Sequence, residues 1–195
     1  MSDNQENHYD NPYYHIEENF PLQEGDELRW YAVYCKSRHE KKVVDQLYEK
    51  KINHYLPVRK EMRQWSDRKK EVELPLFRGY MFVNIPKRLK IPVLETYGIV
   101  TFVTFANKLE SIPDEQIEAV RVLESYGEGL QQENVDFELE DRVRVTGGPC
   151  KDLVGHLAHH QGKNRFVVVI DTLKMGASVI IEKHWLEKIP KDEPQ

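Results

Sequence analysis

The sequence predicts two units: an α+β domain over residues 28–126, with helices over an antiparallel sheet, and a small all-β barrel over residues 139–190. Two observations predict the first unit. Apolar runs of strand length recur after Leu28, and stretches with helical periodicity separate them. One predicts the second: beyond residue 138 only short apolar runs occur, divided by glycine turns.

The elements follow in order. Residues 1–27 are acidic, show no apolar period, and are expected to be a disordered tail; Tyr9, Tyr13 and Tyr14 suggest at most a docking motif there. Trp30 to Cys35 is a continuous apolar run, as in a central strand. Ser37 stands three residues before Glu40, the spacing of a capping box, and Val43, Val44, Leu47 and Tyr48 then share one helical face. Arg38 and Lys42 fall on the other face. Residues 55–58 and 71–74 flank a polar stretch tipped by Ser66-Asp67-Arg68-Lys69-Lys70, which predicts a long hairpin with a charged end.

Tyr80 to Ile85 is a second buried strand, and Pro92 opens a short helix stopped by Gly98. Val100 to Phe105 is a third strand. Pro113, Asp114 and Glu115 start a helix that Gly127 ends. Residues 127–138 have a linker composition. Strands are then expected at 141–146, 154–158, 165–170 and 177–182, with a short tail at 191–195. Residues 166–170 and 179–181 hold seven β-branched side chains. In a helix these would cost about 2–4 kcal/mol relative to alanine, so a barrel at rest, joined flexibly to the first unit, is expected.

Composition narrows the function. Hydrophobic residues are 39% and charged residues 31%, a globular balance, and no apolar run reaches the length of a spanning helix. The start lacks a basic and apolar leader, and two distant cysteines make neither a disulfide framework nor a paired zinc motif. A cytoplasmic monomer is the expectation. The net charge of −5 hides strong asymmetry: residues 28–90 carry 17 basic and seven acidic side chains, residues 91–141 two basic and twelve acidic. A basic surface of this kind suits a polyanion, unless the acidic stretch folds against it. His156, His159 and His160 cluster in sequence, but strand alternation splits them and no acid or cysteine completes a set, so neither metal nor cofactor is expected. Gly147 to Lys151 lacks the ending of a phosphate loop, and no nucleophile–base motif is present. Catalysis is not expected.

Three motifs in order carry a resemblance. Trp30-Tyr31-Ala32-Val33-Tyr34 with its helix resembles the opening of the N-terminal domain of NusG-type transcription elongation factors. Pro75-Leu76-Phe77-Arg78-Gly79-Tyr80-Met81-Phe82-Val83 resembles that domain's second signature, closer to RfaH-type antiterminators than to general NusG. Val143 to Pro149 with Gly155 resembles the KOW motif, and Gly148 matches its typical turn glycine. The resemblance spans residues 28–190.

It implies a transcription elongation or antitermination factor, in its operon-specific form. The N-terminal domain would hold the clamp helices of the RNA polymerase largest subunit in an aromatic cavity, at Tyr34, Tyr80, Phe82 and Phe105. Alternation leaves the faces of Phe82 and Phe105 open. Lys36, Arg38, His39 and Lys42, with Arg68, Lys69 and Lys70 at the hairpin tip, would contact non-template DNA. The KOW barrel would recruit a partner through Thr172 and Leu173. Ribosomal protein S10 fits that role. The partial match of this loop to the apolar pair of NusG proteins speaks against Rho. A general NusG factor is the alternative. A ribosomal-type KOW protein that binds RNA would have no use for the Trp30 and Pro75–Val83 signatures.

Overall fold

The computed structural model describes residues 11–17, 21–65, 68–127, 129–134, 141–160 and 163–190. Its first unit runs β1 (Tyr14–His15), β2 (Arg29–Cys35), α1 (Glu40–Glu49), β3 (His54–Tyr55), β4 (Val58–Gln64), β5 (Lys69–Pro75), β6 (Tyr80–Ile85), α2 (Lys90–Leu94), β7 (Ile99–Phe102), β8 (Thr104–Phe105), β9 (Lys108–Leu109) and α3 (Asp114–Tyr126). Five strands form an antiparallel sheet in the order β1-β3-β6-β2-β7. Strand alternation sorts the two faces. Tyr31, Val33 and Cys35 pack with Val43, Val44 and Leu47 of α1 and Val93 of α2. Trp30 and Ala32 pack with Tyr55, Phe82 and the Ile117, Val120 and Leu123 stripe of α3. The acids Asp114 and Glu115 begin α3, and Gly127, at φ +70°, ends it by donating its N–H to the Leu123 carbonyl.

Several local expectations change. Residues 11–17, inside the stretch read as a disordered tail, dock as β1 on the sheet edge; Tyr9 lies outside the described residues. The capping box does not form. Helix α1 begins at Glu40, too late for Ser37 to cap it, and the Glu40 carboxylate instead accepts the Gly79 N–H at 2.9 Å. Helix α2 spans Lys90–Leu94 with Pro92 inside its first turn, where no N–H is missed. The strand read to Phe105 breaks at Val103. Ala106 and Asn107, both at positive φ, then turn β8 into β9 as a tight hairpin needs.

The second unit is a six-stranded antiparallel sheet in the order β10-β14-β13-β12-β11-β15. Its strands are β10 (Gln131–Asn134), β11 (Arg142–Val145), β12 (Val154–His160), β13 (Lys163–Ile170), β14 (Met175–Ile180) and β15 (Leu186–Lys188). Val143, Val145, Phe166, Val168, Ile170, Ala177 and Val179 fill its interior. Gly148 sits at φ +75°, and a Cβ there would lie 2.4 Å from the Trp185 ring, so only glycine fits. Strand β10 falls within the stretch read as linker. Glu133 explains it: it is buried, lies 3.1 Å from Arg165, and accepts from Ser178. The second unit rests on the outer side of α3, which packs against β13 and β14. Gln116 donates to Asp171 at 2.7 Å and Tyr126 to the Ile180 carbonyl at 3.2 Å, where a free joint is the sequence expectation.

Candidate functional site

Two of the four candidate aromatics form a surface. Tyr34, next to last in β2, stands directly opposite Tyr80 of β6, with ring centroids 5.2 Å apart. Both lie on the α3 side of the sheet, past the residues that the helix covers, and Tyr34 is 41% exposed. Gly79, at φ +82°, lets the chain pass beneath the Tyr34 ring; a Cβ there would sit 3.0 Å from it.

Phe82 is on the same face but fully buried, 6.0 Å from both Tyr55 and Phe77. It is core under the surface and not part of it, because α3 covers that stretch of the sheet. Phe105 is 47% exposed on the β8–β9 hairpin and stacks on neither tyrosine. Lys174 of the second unit lies 5.8 Å from its ring, and a cleft of about 230 Å³ separates Phe105 from Asp171 and Thr172.

The candidate cations fall into two groups. Lys36, Arg38, His39 and Lys42 gather at the start of α1, next to Tyr34 in the chain. Arg38 is held at φ +61°, which turns the backbone outward into the helix. The sequence reading misses the centre of this group. Tyr97 is 65% exposed, with Lys36 Nζ 4.8 Å above its ring and His39 edge-on at 5.7 Å. Gln46 fixes its carbonyl with a 2.8 Å bond. Its sequence signal is an aromatic directly before the Gly98 stop, outside any apolar period. A stacking ring framed by cations suits both base and phosphate.

Arg68, Lys69 and Lys70 form the second group, at the end of the β4–β5 ribbon; Ser66 and Asp67 lie outside the described residues. None of these three cations, nor Arg38 or Lys42, is ion-paired to a described acid. Three acids of the acidic stretch are engaged elsewhere: Glu118 bonds Arg121, Glu124 holds Tyr55, and Glu133 holds Arg165.

In the second unit, Asp171–Leu173 is a single tight turn closed by Lys174 at φ +50°. Thr172 is half-buried, and Leu173 is buried where the sequence reading has it presented to a partner.

Both cysteines are free and buried. Burial pushes the Cys35 thiol up to about 12, with Glu40 adding to it, and the Cys150 thiol up to about 11. Among the described residues no three His, Cys, Asp or Glu side chains gather as a metal site, and no helix is long and apolar enough to cross a membrane.

Residues 28–121 match the family model described as transcription termination factor NusG. The transcription termination/antitermination protein NusG of Deinococcus radiodurans is 30% identical over 156 residues, covering 66% of this chain and 81% of that protein. Its namesake in Halalkalibacterium halodurans is 27% identical, covering 84% of this chain and 99% of that one. The solved structure titled "Domain interaction in Thermotoga maritima NusG" shares the fold: TM-score 0.50 at 20% identity, over 84% of this chain and 98% of that chain. The family match lies over the first unit and the relatives extend over the second, and the chain belongs to the NusG family of transcription termination and antitermination proteins.

Proposed function

We propose that this protein rides on RNA polymerase during elongation, touches the non-template DNA strand of the open bubble, and brings a partner through its C-terminal barrel. The observation that carries the reading is the shared edge between two surfaces. Only Cys35 separates Tyr34 of the Tyr34–Tyr80 pair from Lys36 of the Lys36–Tyr97–His39 cluster along the chain. The Glu40–Gly79 bond ties the backbone beneath them. An exposed aromatic pair suits a protein anchor, here the clamp helices of the largest subunit. Unpaired cations around an exposed ring suit single-stranded nucleic acid. Phe105 extends the aromatic surface once the barrel loop withdraws. Thr172 and Leu173 then become available to a partner such as ribosomal protein S10.

Charge reversal at Arg38 and Lys42 tests the DNA contact. The double variant is expected to lose the effect on pausing or readthrough in purified transcription, with the wild-type effect itself weakening as salt rises. Wild-type activity in the variant would reject the contact.

The Pro75-Leu76-Phe77 signature supports an operon-specific factor. A second reading, a general factor, is favoured by relatives that all bear the name NusG. Chromatin occupancy separates them: one or a few operons for the first, most transcribed genes for the second.

A further inference from the structure

The β4–β5 ribbon holds a side chain that folding does not explain. Val58 buries the ribbon's root, but Met62, Arg63, Gln64 and Trp65 are all exposed, as are Arg68 to Glu71 on the returning strand. Trp65 is 57% exposed, whereas Trp30 is buried and Trp185 covers Gly147 and Gly148. An indole left in water forgoes one of the largest hydrophobic gains a residue can make.

Its neighbours are set by the register. Arg63 pairs with Lys70 across the ladder, and the Trp65 N–H donates to the Arg68 carbonyl at 2.8 Å, extending the ladder by one step. Pleat alternation therefore puts Arg63, Trp65, Arg68 and Lys70 on one face. Arg63 meets Glu61 at 3.2 Å on the open surface, a pair of little worth, and Arg68 and Lys70 meet no described acid. The paired strands reach roughly 20 Å, at about 3.4 Å per residue.

We propose that the free end of this ribbon is a base-stacking site for single-stranded nucleic acid. Trp65 takes the face of an unpaired base, and Arg63, Arg68 and Lys70 lie against the flanking phosphates. The proposal rests on the reading that the chain works at an open bubble, and adds a second contact separate from the α1 surface. A duplex hides its base faces, so an exposed indole gains most from a single strand. The indole reads no base pattern, which makes the site tolerant of sequence. Arg68 and Lys70, on the same face and without a described acid partner, leave positive charge beside the ring for the phosphates that flank a stacked base.

The test uses the full-length protein, fluorescently labelled oligothymidine, and a blunt duplex of equal length at low salt. Wild type should bind the single strand more tightly, with quenching of the exposed tryptophan emission. Trp65→Ala should weaken single-strand binding by about 5- to 100-fold, the range of one stacked base, and abolish that quenching. Trp65→Phe should restore most of the affinity. Arg68→Ala with Lys70→Ala should flatten the salt dependence, which Trp65→Ala should leave alone. Tight binding by wild type and Trp65→Ala alike would overturn the stacking site and leave the DNA reading standing. No binding by wild type would overturn both. Lost RNA polymerase affinity in Trp65→Ala, with oligothymidine affinity intact, would make the ribbon a protein contact and overturn the proposal.

Discussion

Burial holds the His54 ring down to about 4, partly opposed by its 2.8 Å hydrogen bond with the Ile52 carbonyl. The ring packs against His15 at 5.5 Å. The unfolded chain takes up this proton near pH 6.5, well before the folded one does. Between about 6.5 and 4 the unfolded state therefore binds more protons, and stability is lost as pH falls through that window. At about 1.4 kcal/mol per pH unit, one such group removes up to about 3 kcal/mol. Urea unfolding at pH 7 and pH 5 should show the loss, and His54→Gln should flatten it. Glu124 is the other residue that matters beyond its type. Its carboxylate accepts from Tyr55 at 2.6 Å, the Val58 N–H at 2.7 Å and Asn11 at 2.9 Å. Burial raises its pKa, against the pull of these bonds. Nothing in the sequence separates Glu124 from the other acids of α3, because its partners arrive from two distant segments, at Asn11 and at residues 55–58.

The edge strand β1 shows why some elements escape a reading by periodicity. Residues 11–17 have no apolar period and an acidic flank, yet they order against the sheet through specific side chains. Asn11 bonds the Leu56 carbonyl as well as Glu124, Tyr13 bonds Glu73 and Lys41, and the Tyr14 ring meets Tyr55 edge-on and Arg121 at 4.0 Å. Such bonds leave no repeat in the sequence. Strand β10 is hidden for the same reason, since its order depends on the buried Glu133–Arg165 pair. Removing residues 1–17 should release the Leu56 N–H, now bonded to the Tyr13 carbonyl, and leave the Glu124–Tyr55 pair open to water. Amide exchange at Leu56 should accelerate, and stability should fall by about 1–3 kcal/mol, as for lost hydrogen bonds to a charged group. Unchanged exchange at Leu56 would show that β1 contributes nothing to the sheet.

At the scale of the whole molecule, the legible parts were those that rest on repeats. Runs such as Trp30 to Cys35 and Phe166 to Ile170, the α1 and α3 stripes, and the Gly127 and Gly148 turns all rest on apolar period or backbone sterics. The packing of the second unit on α3 was not legible. Apolar side chains of α3 and the second unit join one core cluster there, with polar pairs such as Gln116 and Asp171 at its rim, and no local period shows which apolar faces will meet. The surfaces were legible as residue types but not as faces, which is why Phe82 and Leu173 are buried while Tyr97 and Trp65 stand exposed. The aromatic surface next to the α1 cations is the centre of the functional account, and the affinity of the full-length protein for core RNA polymerase tests it most directly. Tyr34→Ala with Tyr80→Ala, in a variant whose far-ultraviolet spectrum matches wild type, should weaken binding by about 1–3 kcal/mol or more, as lost interface anchors do. Wild-type affinity in that double variant, or no binding by the wild type itself, would contradict the account.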